Sequence, residues 1–91
     1  MEIEKELEHA LHTSKDQVMN VFRKIYEKYC KLVYYYIHKS INSKEDCEDL
    51  TNDVFLGFFN SINSFDTSRS IKAYLFTCAS NRIKDYYNSR K

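Results

Sequence analysis

Apolar residues recur along most of this chain at steps of three and four, the period of a helix with one buried face. Val18, Phe22, Ile25, Tyr29, Leu32/Val33, Tyr36 and Ile37 form one continuous stripe, and Lys24, Glu27, Lys28, Lys31 and Lys39 take the outer face. Ser14 followed three residues later by Gln17 fits a capping box. The spacing predicts a helix over about 15–41. Asn42-Ser43 closes it and caps a second helix, whose first turn holds Glu45 and Asp46, favourable against the helix dipole. Leu50, Val54 and Phe58 recur at four, with Phe55, Phe59 and Ile62 alongside, so this second helix runs over about 44–62. Ile71, Tyr74/Leu75, Cys78/Ala79, Ile83 and Tyr86/Tyr87 predict a third, over about 69–88. Between the last two lies Asn63–Ser70, the one loop rich in turn formers; Phe65 is its single apolar residue and plugs it onto the core. Residues 1–13 are an arm or a short helix, with Ile3, Leu7 and Leu11 at spacing four among Glu2, Glu4, Glu6 and Glu8. That segment is too short to be helical in isolation.

The expected fold is therefore all-α: a compact bundle of three long helices, one domain over residues 14–91, preceded by the N-terminal arm 1–13. Composition supports it. The 91 residues contain no Pro and one Gly, Gly57, which sits inside the second helix, where a close backbone approach by a neighbour or chance drift would explain it. Eight Tyr and six Phe supply a core. No apolar run is long enough to span a bilayer, and the charged N-terminus is not a signal peptide, so no membrane contact and a cytoplasmic location are expected. Cys30, Cys47 and Cys78 are far apart and lie in apolar patterns, as reduced core residues do. His9 and His12 share a helical face, but no carboxylate or Cys cluster accompanies them, so neither a metal site nor a cofactor is expected. No nucleophile elbow, phosphate loop or paired metal carboxylates can be placed, so no catalytic residues are expected and an enzyme is not.

Charge changes the picture more than composition does. The net charge is +1, yet from Arg69 onward six basic residues face one acid, and the first 68 residues carry eight basic against twelve acidic ones. The basic end is a nucleic-acid candidate. In the acidic part, Asp46, Asp49, Asn52 and Asp53 fall at steps of three and four on one side of the second helix. Periodicity leaves two readings open: a solvated face beside a core stripe, or a face read by a basic partner.

Three spaced blocks in order resemble region 2 of the bacterial sigma-70 family, specifically the extracytoplasmic-function (ECF) group. Phe22-Arg23-Lys24-Ile25-Tyr26-Glu27-Lys28-Tyr29 is similar to that family's opening Phe-x-x-(Leu/Ile)-Tyr-x-x-Tyr helix. Asp46-Cys47-Glu48-Asp49-Leu50-Thr51-Asn52-Asp53-Val54-Phe55 is similar to its Asp-Ala-Glu-Asp-Leu-Val-Gln-Glu-Val-Phe signature. Phe65-Asp66, followed by Ile71-Lys72-Ala73-Tyr74-Leu75-Phe76-Thr77-Cys78-Ala79-Ser80-Asn81, is similar to its Phe-Asp and Phe-x-Ala-Trp-Leu-Tyr-Arg-Ile-Ala-Arg-Asn block. The resemblance covers Val21 to Lys91.

What the resemblance implies is a transcription-initiation module. It would dock on the clamp helices of the largest subunit of the RNA polymerase core through Asp49, Asn52 and Asp53, with Asp46, Phe55 and Leu56 in support. It would recognise and melt the promoter −10 element by taking a non-template base into a pocket of the loop, Phe65, Asp66, Thr67, Ser68, Arg69 and Ser70, with Asn81 reading a base edge. Arg82, Lys84, Arg90 and Lys91 would hold phosphates, which position without specifying. An anti-sigma factor is a further partner of such modules. The chain departs from the pattern at Asn52 and Asp53, each one methylene shorter than the family's Gln and Glu, and at Tyr74 in place of Trp. Thr77 and Ser80 stand where the family often has Arg. Those two positions favour an alternative, a protein-binding module for polymerase or an anti-sigma factor with weakened or lost DNA recognition. Region 4, the reader of the −35 element, is absent from these residues, as expected of either a truncated chain or a one-region protein.

Overall fold

The computed structural model describes residues 2–89. Helix α1 spans Glu2–Leu11, α2 Lys15–His38, α3 Lys44–Asn60 and α4 Ile71–Ser89, with a 3-10 turn at Ile62–Ser64. No strand occurs among the described residues. The protein is thus an all-α bundle of three long helices with a short N-terminal fourth.

The serine caps read from the sequence are formed, although at Ser14 the capping box is half made, its own amide bonding Ala10 O at 3.2 Å. Ser14 Oγ accepts the Gln17 amide at 3.2 Å, and Ser43 Oγ accepts the Asp46 amide at 3.2 Å. Each such cap is worth about 1 kcal/mol. Ser70 Oγ does the same for Ala73 at 3.1 Å and opens α4. The predicted ends move by two or three residues, for local reasons. The Ser40 and Ile41 amides both bond Ile37 O at 3.0 Å, which ends α2 at His38 although Ile41 itself is buried. The Ile41 carbonyl accepts the Cys47 thiol at 3.1 Å and sits 3.1 Å from His38 Nδ1, so the turn between α2 and α3 is tied down on both sides. The Ser61 amide is shared between Gly57 O and Phe58 O. That bifurcation ends α3 and passes Ile62 to the 3-10 turn.

Helix α2, about 36 Å long at 1.5 Å per residue, is the element on which α1, α3 and α4 all pack. Its buried row is Val18, Val21, Ile25, Tyr29, Val33 and Ile37. Leu32 stays half exposed, and Phe22 and Tyr36 are only partly covered. Helix α3 lies against both α2 and α4, so its buried face is wider than one stripe: Cys47, Thr51, Val54, Phe55 and Phe58. Helix α4 contributes Ile71, Leu75 and Ala79 at strict spacing of four. Phe58 is fully buried at the centre. Tyrosine hydroxyls join the helices at the edges of this core: Tyr36 with Ser80 Oγ at 2.6 Å, Tyr86 to Asp46 Oδ2 at 2.6 Å, and Tyr87 to the Ser40 carbonyl.

The first segment is a packed helix. Ile3, Leu7 and Ala10 of α1 are buried against α2, and Glu6 pairs with Lys24 at 3.0 Å. No helix among the described residues is long and apolar enough to cross a membrane.

Candidate functional site

Two surfaces gather the residues singled out in the sequence. The first is the outer face of α3. Asp49, Asn52, Asp53 and Leu56 follow at steps of three, one and three, so they form one row, and all four are exposed. Leu56 is 57% exposed. Beside them an open apolar groove of about 430 Å³ runs between α2 and α3, lined by Met19, Phe22, Tyr26, Leu56 and Phe59, with Asn52 and Asp53 on its rim. Carboxylates and an amide standing next to uncovered apolar atoms suit a partner helix that offers both cations and hydrocarbon.

Two expected members of that face are committed elsewhere. Phe55 is 2% exposed, and its ring packs edge-to-face on Tyr26 at 4.9 Å. It supports the groove from beneath and offers a partner almost no surface, because α3 is covered by two helices and its buried arc reaches round to position 55. Asp46 is half-buried and accepts the Tyr86 hydroxyl, which draws its carboxylate toward α4.

The second surface is the loop before α4. Asp66 organises it: Oδ1 accepts both the Ser68 amide at 3.0 Å and the Ser68 hydroxyl at 2.6 Å, and the Asp66 carbonyl accepts the Arg69 amide at 3.0 Å. These bonds to Ser68, with Arg69 nearby, hold the Asp66 carboxyl below the ordinary aspartate range. The Arg69 guanidinium is 3.9 Å away and both groups are exposed, so that ion pair adds little. Phe65 does plug the loop onto the core. Its ring meets Phe58 at 5.5 Å and Tyr74 at 5.3 Å, both edge-to-face, the favoured geometry for such pairs. Ser61, Ser64, Phe65, Asp66, Arg69 and Tyr74 together line an open hollow of about 350 Å³. That is within the range of small-molecule pockets. Burial, with Cys78 beside it, pushes the Tyr74 phenol up, so it stays a neutral hydroxyl. Thr67 and Ser70 are half-buried and Ser68 is exposed; none of the three lines the hollow.

On α4, Asn81, Arg82 and Lys84 are exposed. Asn81 is seven residues beyond Tyr74 and so shares its helical face, about 10 Å further along. Arg82 reaches back over α3: a Cβ placed on Gly57 would meet its Nη2 at 3.8 Å. Ser80 is turned inward to Tyr36, whereas Thr77 is exposed. Arg90 and Lys91 lie outside the described residues.

Sequence reasoning missed Met19 and Tyr26 at the groove and Ser61, Ser64 and Tyr74 at the hollow. Met19 and Tyr26 each follow a buried residue of the α2 row, Val18 and Ile25, so they flank the stripe and read as its edge. Ser61 is hidden in a second helix expected to run to Ile62, and Ser64, in the loop, precedes the Phe65-Asp66 block that carries the resemblance. The turn formers Ser61-Ile62-Asn63-Ser64 were the available signal for an earlier break.

A family model for sigma-70 region 2 matches residues 25–91. The ECF RNA polymerase sigma factor BldN of Streptomyces coelicolor is 33% identical over 73 residues, which cover 79% of this chain and 28% of that protein. The chain therefore spans little more than a quarter of the length of that curated relative. No solved structure matches it.

Proposed function

Because the chain belongs to the sigma-70 region 2 family and is of the ECF type, we propose that it serves transcription initiation by docking on the RNA polymerase core and taking up a base of the promoter −10 element. The observation that carries this reading is the exposed row Asp49, Asn52, Asp53 and Leu56 on the rim of an apolar groove. The clamp helices of the largest polymerase subunit would lie along this row, their basic side chains meeting the two carboxylates while Met19, Tyr26 and Leu56 bury apolar area. Asn52 and Asp53, short as they are, stand unobstructed, so the partner helix would approach closely to reach them.

The hollow supports the DNA half. A non-template base leaving the duplex costs a few kcal/mol of stacking, which pocket contacts must offset. Phe65 and Tyr74 would supply aromatic wall. The serine hydroxyls and the Asp66 carboxylate would supply polar partners for a base edge, the carboxylate accepting from an exocyclic amino group. Asn81, Arg82 and Lys84, with Arg90 and Lys91 beyond them, would follow the backbone. An anti-sigma factor would compete for the α3 row. Ser80 bonded to Tyr36 favours the second reading, a polymerase- or anti-sigma-binding module alone, since that position holds two helices together and offers no cation to phosphate.

One paired experiment separates the readings. An immobilised two-helix fragment of the polymerase clamp should retain the protein, and Asp49→Arg or Asp53→Arg should weaken retention by at least about tenfold. Unchanged retention would mean the docking face is misassigned. Single-stranded −10 oligonucleotides, compared across base substitutions at several salt concentrations, should be discriminated by base. Indifference to sequence would leave the protein-binding module standing without promoter recognition.

A further inference from the structure

Glu4 is the one carboxylate buried among the described residues, 4% exposed, and it belongs to a helix outside residues 25–91, which the family model matches. Its Oε2 accepts the Ile71 amide at 2.8 Å, across 67 residues of chain. Ile71 is the first residue of α4, and the opening amides of a helix have no partner within it. Ser70 Oγ serves Ala73 and Glu4 serves Ile71. A carboxylate is favoured at that end of the helix dipole, and its burial, costly unless hydrogen bonds offset it, is met by the Ile71 amide. Here α1 holds it. Leu7 lies three residues on, on the same face, and is fully buried; Ile3 and Ala10 are buried beside it.

The place where Glu4 acts divides the hollow in two. Ser61, Ser64, Phe65, Asp66 and Arg69 come from the loop side, and Tyr74 comes from the first turn of α4. The two parts are joined through Ser70-Ile71, where the Tyr74 amide bonds Ser70 O at 3.1 Å. Resting on the −10 reading above, we infer that Glu4 is a positioning residue for base selection. By fixing where α4 begins, it sets Tyr74 against Phe65 and Asp66, and α1 becomes part of the machinery that chooses the base.

The test uses the full 91-residue chain with Glu4→Ala and Glu4→Gln, the latter keeping an acceptor oxygen at the same reach. Two quantities are read: amide exchange at Ile71, and the ratio of affinities for −10 single strands that differ in one base. In Glu4→Ala, exchange at Ile71 should rise about tenfold while the α2 core amides stay protected, as expected for loss of one buried bond. The affinity ratio should fall by about the same factor, with binding to unrelated single strands and to the clamp fragment unchanged. Glu4→Gln should restore both. Should Glu4→Ala fail to fold, Glu4→Asp is read instead: it keeps the charge but withdraws the oxygen by one methylene, and the ratio should again fall. Wild-type discrimination that survives Glu4→Ala, or survives Glu4→Asp in its place, overturns the inference and leaves the −10 reading intact. A wild type that discriminates no base removes the −10 reading, and this inference with it.

Discussion

Asp66 accepts the Ser68 amide and hydroxyl through one oxygen, and its main-chain carbonyl takes the Arg69 amide, so the shape of the loop depends on one ionised carboxylate. Because the folded-state pKa is lowered, chiefly by the Ser68 hydroxyl, the contribution to loop order is complete above the unfolded aspartate value of about 3.9 and is lost as pH falls through the folded value. The window of change is therefore acidic, below about pH 4, and neutral-range pH leaves the loop untouched through this group. In an NMR titration the Ser68 amide shift should move with a midpoint below that of a free aspartate. In Asp66→Asn, which keeps an oxygen for Ser68 and drops the charge, the transition should vanish. A midpoint at or above the free value would show that the Ser68 bonds do not form in solution. An Asp side chain commonly bonds the amide two residues on, here that of Ser68, but the residue types do not announce the bond to its hydroxyl. Asp, Thr, Ser and Arg in a row indicate a turn, but which hydroxyl closes it depends on backbone angles that only the packed Phe65 and the start of α4 define.

Helix α3 has to satisfy three neighbours at once: α2, α4 and the proposed partner. Gly57 sits where Arg82 crosses from α4, and the crossing is looser than a glycine requires. A Cβ there would meet the guanidinium at an ordinary 3.8 Å, and the backbone is not in the left-handed region. Gly57→Ala should therefore stabilise the protein by about 0.5–1 kcal/mol through helix propensity alone. For a domain of this size that is a rise of a few degrees in Tm. A fall in Tm would mean the Arg82 contact is tighter than it looks. The same helix shows what periodicity can and cannot disclose. Asp49, Asn52 and Asp53 were legible as one row because steps of three and four put them on one side of the helix. The placements of Asp46 and Phe55 were not legible because they depend on tertiary neighbours: Tyr86 arrives from 40 residues away, and a helix covered on two sides buries more than its one apolar stripe. Cys47 and Thr51 belong to that extra arc, as a thiol and a hydroxyl bonded to nearby carbonyls; Cys47 was legible as a core residue, whereas a Thr does not mark a core position.

In the whole molecule, α2 is the shared wall and the other helices are read by how they lean on it. The bundle of three long helices was legible from stripes, caps and the scarcity of Gly and Pro. The place of α1 was not. Ile3, Leu7 and Leu11 announced a helical face, but ten residues do not hold a helix alone, and Glu4, on the same face as Leu7, belongs to a residue type that is almost never buried unless paired. Its partner, a backbone amide, leaves no trace in composition. If α1 is a loose arm, truncating its buried leucine should scarcely change stability. If it is part of one cooperative core, Leu7→Ala should cost about 2–5 kcal/mol, as for a leucine at the centre of a domain. The burial of Leu7, with Ile3 and Ala10 beside it, places it in the core. Urea unfolding of Leu7→Ala beside Leu75→Ala, a fully buried leucine of α4, makes the comparison internal. Equal losses with an unchanged dependence on urea mean one folding unit that begins at α1. A loss below about 0.5 kcal/mol for Leu7→Ala, the range of surface substitutions, would detach α1 from the fold and deprive Glu4 of the support it needs to hold Ile71.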